Sequence, residues 1–135
     1  MATRIFENDR TFAAELYLDG AWVGSGELRR TWQTRLTDVP NASGPKESVI
    51  EQQAYLVLEE LTDVQLVERL RLLCAATLDH DLGRKLRDSG QRTVLLQLQL
   101  QDGSSGAVML SSPFAPYGQP VGTPFPASLD LGAAS

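Results

Sequence analysis

The sequence predicts an α+β protein: an antiparallel sheet of about five strands, two or three helices on one face of it, and an extended Pro-rich C-terminal tail. Three observations lead there. Apolar residues alternate with polar ones early in the chain and again over residues 94–101. Between these stretches the apolar residues take helical spacing. The order strands, helices, strands belongs to domains that segregate helices to one side of an antiparallel sheet. The expected division is a single α+β domain over residues 1–110 and an extended arm over residues 111–135.

Residues 1–10 are polar and read as an arm or a first sheet edge. Phe12, Ala14, Leu16 and Leu18 then alternate with Ala13, Glu15 and Tyr17, the period of a half-buried strand. Asp19-Gly20 signals a two-residue hairpin, whose favoured turn needs positive φ at both positions. The return strand carries Trp22 and Val23. Gly24 and Gly26, two apart on one face, mark a bulge or a close backbone approach. Arg30, Trp32, Thr34 and Leu36 continue towards a third strand, and Pro40 to Pro45 form a loop.

Pro45 suits a first helical position, with Glu47 placed favourably against the helix dipole. Val49 or Ile50, Ala54, Val57, Leu58 and Leu61 form one helical stripe. Thr62-Asp63-Val64-Gln65 matches a capping box, which starts a second helix over about 63–77 with a stripe of Leu66, Val67, Leu70, Leu73 and Cys74. A single long helix through Thr62 is the rival reading. Asp79 caps a short third helix that ends near Gly90. Alternation returns with Val94, Leu96, Leu98 and Leu100 on one face and Leu95, Gln97, Gln99 and Gln101 on the other. Asp102 to Gly106 turn, and Ala107 to Ser112 return. The glutamines suit a solvent-facing or interface-facing surface, because burial would cost their hydrogen bonds to water.

Composition narrows the function classes. The chain has 135 residues, 42% hydrophobic and 21% charged, which fits one soluble domain with a modest core. A net charge of −5 argues against broad electrostatic binding to nucleic acid. The N-terminus lacks the apolar run of a secretory signal, and apolar stretches fall far short of the ~20 residues that span a bilayer. The expected setting is the cytoplasm or a particle such as a virion. No membrane, cofactor or small-molecule partner is expected.

Each chemically suggestive residue has a plainer reading. His80 sits between Asp79 and Asp81, yet helical neighbours point to different faces and no nucleophile is marked nearby. Cys74 lies on an apolar stripe, where a thiol is inert, and as the only cysteine it permits no internal disulfide. One His, one Cys and scattered carboxylates give no metal-ligand spacing. The glycines of 24–26 and 103–106 precede strands, so they are turns or bulges rather than phosphate loops. Arg84, Lys85, Arg87 and Arg92 suit a helix C-terminus. "ELRRTWQTRL", with Tyr17, Trp22 and Trp32 as stacking surfaces, is a nucleic-acid lead that the acidic total opposes. No catalytic, cofactor or metal residue is assigned.

The tail holds five of the seven prolines and a single charge, Asp130, so neither a helix nor a central strand is expected from it. It is nevertheless apolar, unlike a free linker. Phe114, Tyr117, Val121, Phe125, Leu129 and Leu131 are the expected anchors of an arm that docks on a protein partner or a second copy. By elimination the sequence points to a non-enzymatic interaction subunit of a larger assembly, a virion component or an accessory subunit of a cellular complex. A small regulator, inhibitor or adaptor is the alternative. A ligand-binding or catalytic domain with Trp22, Trp32, Tyr55 and His80 lining a pocket between sheet and helices is the third.

Overall fold

Three long strands carry the architecture. In this computed structural model, which describes residues 2–40, 44–114 and 119–131, β1 (Thr3–Leu18), β2 (Ala21–Thr37) and β3 (Lys46–Leu61) form an antiparallel meander. Then come α1 (Val64–Ala75), α2 (His80–Asp88), β4 (Val94–Leu100), β5 (Ser105–Leu110) and β6 (Pro124–Leu131). The strands lie in the order β1-β2-β3-β6-β5-β4, and β4 pairs back onto β1 to close a barrel. The mostly antiparallel sheet and the presence of two helices agree with the sequence; the arrangement of the helices does not. The described residues hold six strands rather than about five, and the sheet is closed rather than open.

The β1–β2 hairpin follows from its turn. Asp19 has φ 51° and Gly20 φ 83°, the conformation that matches the right-handed twist of the flanking strands. Gly26 is a close approach: a side chain there would collide with the backbone carbonyl of Val57 on β3. Register shifts at Leu16/Tyr17 and Ser25/Gly26 bend the sheet where it must curl into the barrel. Arg30 to Leu36 do not start a new strand; they prolong β2.

Residues 46–61 overturn the first expected helix. They pair with β2 along nearly their whole length, from Thr37↔Lys46 to Gly24↔Leu61. Leu56 and Leu58 point inward, and Ala54 is half-buried beside them. Tyr55 and Val57 occupy the opposite face, and their apolar character hid the period of two. Val49, Ile50, Tyr55 and Val57 are β-branched or aromatic, types that favour a pleated surface.

The tail overturns a second expectation. Residues 124–131 are a barrel strand, paired with β3 over Pro124–Pro126 and with β5 over Ala127–Leu131. Pro124 is tolerated as the first residue of the strand. Pro126 contributes its carbonyl, which accepts from the Ser111 N–H at 3.1 Å. The domain therefore does not end near residue 110.

The helices close one barrel end instead of covering a face. Leu66, Leu70, Leu73 and Cys74 of α1 and Leu86 of α2 join one continuous core with Phe12, Leu16, Leu28, Leu56, Leu58, Val94, Leu96, Leu98, Val108, Leu110 and Phe125. The break after β3 is real, but its cap is Asp63 rather than Thr62: the Asp63 carboxylate accepts from the Leu66 N–H at 3.0 Å. Asp79 caps α2 as expected, accepting from the Asp81 and Leu82 N–H groups. No helix among the described residues is long and apolar enough to cross a membrane.

Candidate interaction surface

The three long strands outrun the barrel. β4 reaches β1 only at Ala14–Tyr17, and β6 reaches β3 only at Tyr55–Val57. Beyond those contacts β1, β2 and β3 continue as a three-stranded sheet of about nine residues per strand, a projection of roughly 30 Å.

This sheet has no covered face among the described residues. Thr3–Thr11 of β1 are exposed apart from half-buried Asn8, and the described side chains of Lys46–Gln53 are all exposed. Ile5, Phe6, Val49 and Ile50 are 53%, 50%, 55% and 39% exposed. The register places Phe6, Thr34 and Val49 side by side on one face, and Glu7, Gln33 and Ile50 on the other. Each face thus presents an aliphatic or aromatic group amid polar ones. A three-stranded sheet without a buried face draws little stability from itself. Continuity with the barrel holds it out.

A polar cluster marks the root of the projection, on the face continuous with the barrel interior. Arg30 lies over the Trp32 ring, 4.7 Å from its centroid, and forms an ion pair with Glu51. Arg10 lies over Phe12 at 5.4 Å. Asn8 donates to Thr34 Oγ1 at 3.1 Å. Beside this cluster β3 and β6 diverge, leaving a shallow cleft lined by Glu51, Gln53, Ala54, Ala127, Ser128 and Leu129. The Arg30 and Glu51 charges are engaged with partners on the sheet itself.

Two edges of the projection are open. On β1 the last matched position is Ala13, which donates to Gln101 Oε1 at 2.6 Å and accepts from the Gln101 N–H at 3.0 Å. By strand alternation Thr3, Ile5, Glu7, Asp9 and Thr11 turn their backbone groups to the same side. No strand among the described residues pairs with β1 there. The edge of β3 from Lys46 to Ala54 is likewise unpaired among the described residues. Long, bare edges are templates for another strand.

The residues singled out from sequence are scattered. Phe125 is fully buried in the barrel, so it cannot anchor a partner. Leu129 and Leu131 are half-buried against the same core. Phe114 is 76% exposed, with its ring 5.9 Å from Tyr55, and Val121 is exposed. Tyr117 lies outside the described residues. Trp22 and Trp32 are ten residues apart on β2, roughly 30 Å along the strand, with Tyr55 on β3 and His80 on α2, so they do not line one pocket. Of the stacking surfaces of the nucleic-acid lead, Tyr17 lies opposite Trp22 in the β1–β2 ladder, and the same spacing separates both from Trp32.

His80 is exposed at the start of α2. Cys74 is fully buried, and burial pushes its thiol pKa up, away from the reactive thiolate. Asp102 is held low by the Ser104 hydroxyl and N–H, a turn contact. No group of three or more His, Cys, Asp or Glu among the described residues could hold a metal ion.

The exposed apolar residues Ile5, Phe6, Val49 and Ile50, divided between the two faces, escaped the sequence reading. One signal was present: from Thr3 to Leu18 there is no glycine or proline, so nothing stops β1 at Phe12. The geometry defines a helix-capped, six-stranded antiparallel barrel with a projecting three-stranded sheet. Comparison with protein families, curated proteins and solved structures finds no match to this chain.

Proposed function

We propose that this chain is a non-enzymatic structural subunit of a larger protein assembly and that it docks through the projecting sheet. The observation that carries this reading is the exposure of residues 3–11, Asn8 apart, and of the described side chains of 46–53 on both faces, beside β1 and β3 edges that no described strand pairs with. Apolar side chains left in water on two edge strands, Phe6 level with Val49 across Thr34, favour a contact surface. The docking role that the sequence suggested for the tail passes to this sheet, because β6 is consumed in closing the barrel. Phe114 and Val121 remain available at the surface as secondary contacts.

The two lysines make a direct test. Lys46 stands at the start of β3, at the far end of the projection, and Lys85 lies on α2 at the capped end of the barrel. Lysine-directed cross-linking of the full chain in its native setting should join Lys46 to a neighbouring protein subunit in stoichiometric amounts. Intermolecular links confined to Lys85, or a chain that remains solitary, would overturn the reading.

A further inference from the structure

We infer that the neighbour on the projecting sheet is a second copy of this chain, with the β1 edge of one copy pairing with the β3 edge of the next. The inference rests on the assembly reading and names its partner. Its ground is that the two open edges are complementary to each other, face by face.

On the face continuous with the barrel interior, β1 carries Arg4, Phe6, Asn8 and Arg10, while β3 carries Glu47, Val49 and Glu51. The edge strands thus bring two cations on β1 and, with Glu51 already paired to Arg30, the anion Glu47 on β3. On the opposite face the signs exchange. β1 presents Ile5, Glu7 and Asp9, and β3 presents Lys46, Ser48 and Ile50. An edge paired with its own kind would set like charges side by side on each face. β1 against β3 at matching levels sets Arg4 beside Glu47 and Phe6 beside Val49 on the first face, and on the other sets Lys46 against Thr3, Ser48 against Ile5 and Ile50 against Glu7, with no like charges opposed. Complementary potentials of this kind select partner and register.

The levels also agree. Through β2, Arg4 stands level with Leu36 and Glu47, and Phe6 stands level with Thr34 and Val49. A neighbour generated by rotation about an axis parallel to the strands keeps every residue at its level and every strand in its direction. β1 and β3 run the same way, so the new pair is parallel, with Arg4 beside Glu47 and Phe6 beside Val49. The contact joins different surfaces of the two copies, so repetition gives a closed ring or, with a rise, a filament. One bare edge then covers the other at each junction, which disposes of the edge hazard.

The test uses charge reversal and mixing, read by sedimentation velocity on the full chain, with circular dichroism to verify the fold. Wild type should form a ring or filament. Arg4→Glu and Glu47→Arg should each weaken self-association roughly tenfold or more, since each sets like charges together at every junction. Mixing the two variants should restore assembly. The reversed β1 edge of the first then meets the reversed β3 edge of the second, glutamate against arginine. The unaltered Arg4 of the second meets the unaltered Glu47 of the first. Should either variant fold poorly, Phe6→Ser with Val49→Ser gives a second, uncharged disruption of the same junction. A wild type that assembles unaffected by the single reversals, or a mixture without rescue, overturns the edge pairing and leaves the assembly reading standing. A wild type that stays monomeric while Lys46 cross-links to a different protein overturns the second copy as partner and again leaves that reading intact. A solitary chain in both experiments overturns both.

Discussion

Phe125 lies directly opposite Leu56 in the β3–β6 ladder, and both side chains are fully buried. This pair ties the last described strand to the first meander and converts an open sheet into a barrel. Phe125→Ala should lower stability by about 3–5 kcal/mol in denaturant titrations, through lost burial and the cavity left behind. Deleting residues 112–135 should prevent native folding, seen as loss of the cooperative transition, because it exposes the inner faces of β3 and β5. A domain ending near residue 110, as the sequence suggests, would instead survive this deletion.

The β4 alternation makes a second contrast. Leu98 is buried beside Leu96 and Leu100, whereas Gln97 is exposed. Leu98→Ala should cost roughly 2–5 kcal/mol, and Gln97→Ala should stay within about 0.5 kcal/mol in the isolated chain. Equal losses at the two positions would contradict the register Leu16↔Leu98.

Gly26 and Gly44 form a matched pair for backbone approach. An alanine methyl at Gly26 would strike β3 backbone, while one at Gly44 meets nothing within 4 Å among the described residues. Gly26→Ala should destabilise by about 1–3 kcal/mol or more, because backbone on a paired strand yields poorly. Gly44→Ala should be nearly neutral. Thermal denaturation of the two variants side by side checks this.

Cys74 should resist alkylation in the folded chain and react at the rate of global unfolding. Its folded pKa is raised by desolvation above the ordinary 9.0. Both states hold the proton below that value, so the thiol adds no pH dependence at neutrality. As pH rises through 9.0 the unfolded chain loses its proton first, and stability should fall. A Cys74→Ser variant should lose this alkaline component, measured as the change in denaturation midpoint between neutral and alkaline buffers.

Much of the barrel was legible in the sequence, because local rules and tertiary packing agree there. Asp19-Gly20 dictated its turn, Val94 to Leu100 displayed a clean alternation, and Asp79 announced α2. Residues 46–61 misled because Tyr55 and Val57 place apolar groups on the outward face, so the apolar set fits a helix as well as a strand. The prolines misled because their rule concerns a missing N–H, and Pro124 stands at a strand start where none is required. The candidate surface was the least legible part. Ile5 and Phe6 are consecutive and point to opposite faces, and only the register against β2 and β3 shows that each has aligned neighbours.

The place of β6 between β3 and β5 also sets a schedule for the chain's birth. During synthesis the first meander, both helices and the β4–β5 hairpin leave the ribosome before Phe125 does. Until that residue emerges, the seam facing β3 stands open and the inner leucines have no lid. The decisive contact, Leu56 with Phe125, spans about half of the sequence, and distant contacts of this kind slow folding and prolong exposure of unfinished intermediates. A nascent chain stalled before residue 125 should therefore be a client of holding chaperones, and release of the final strand should be the event that frees it.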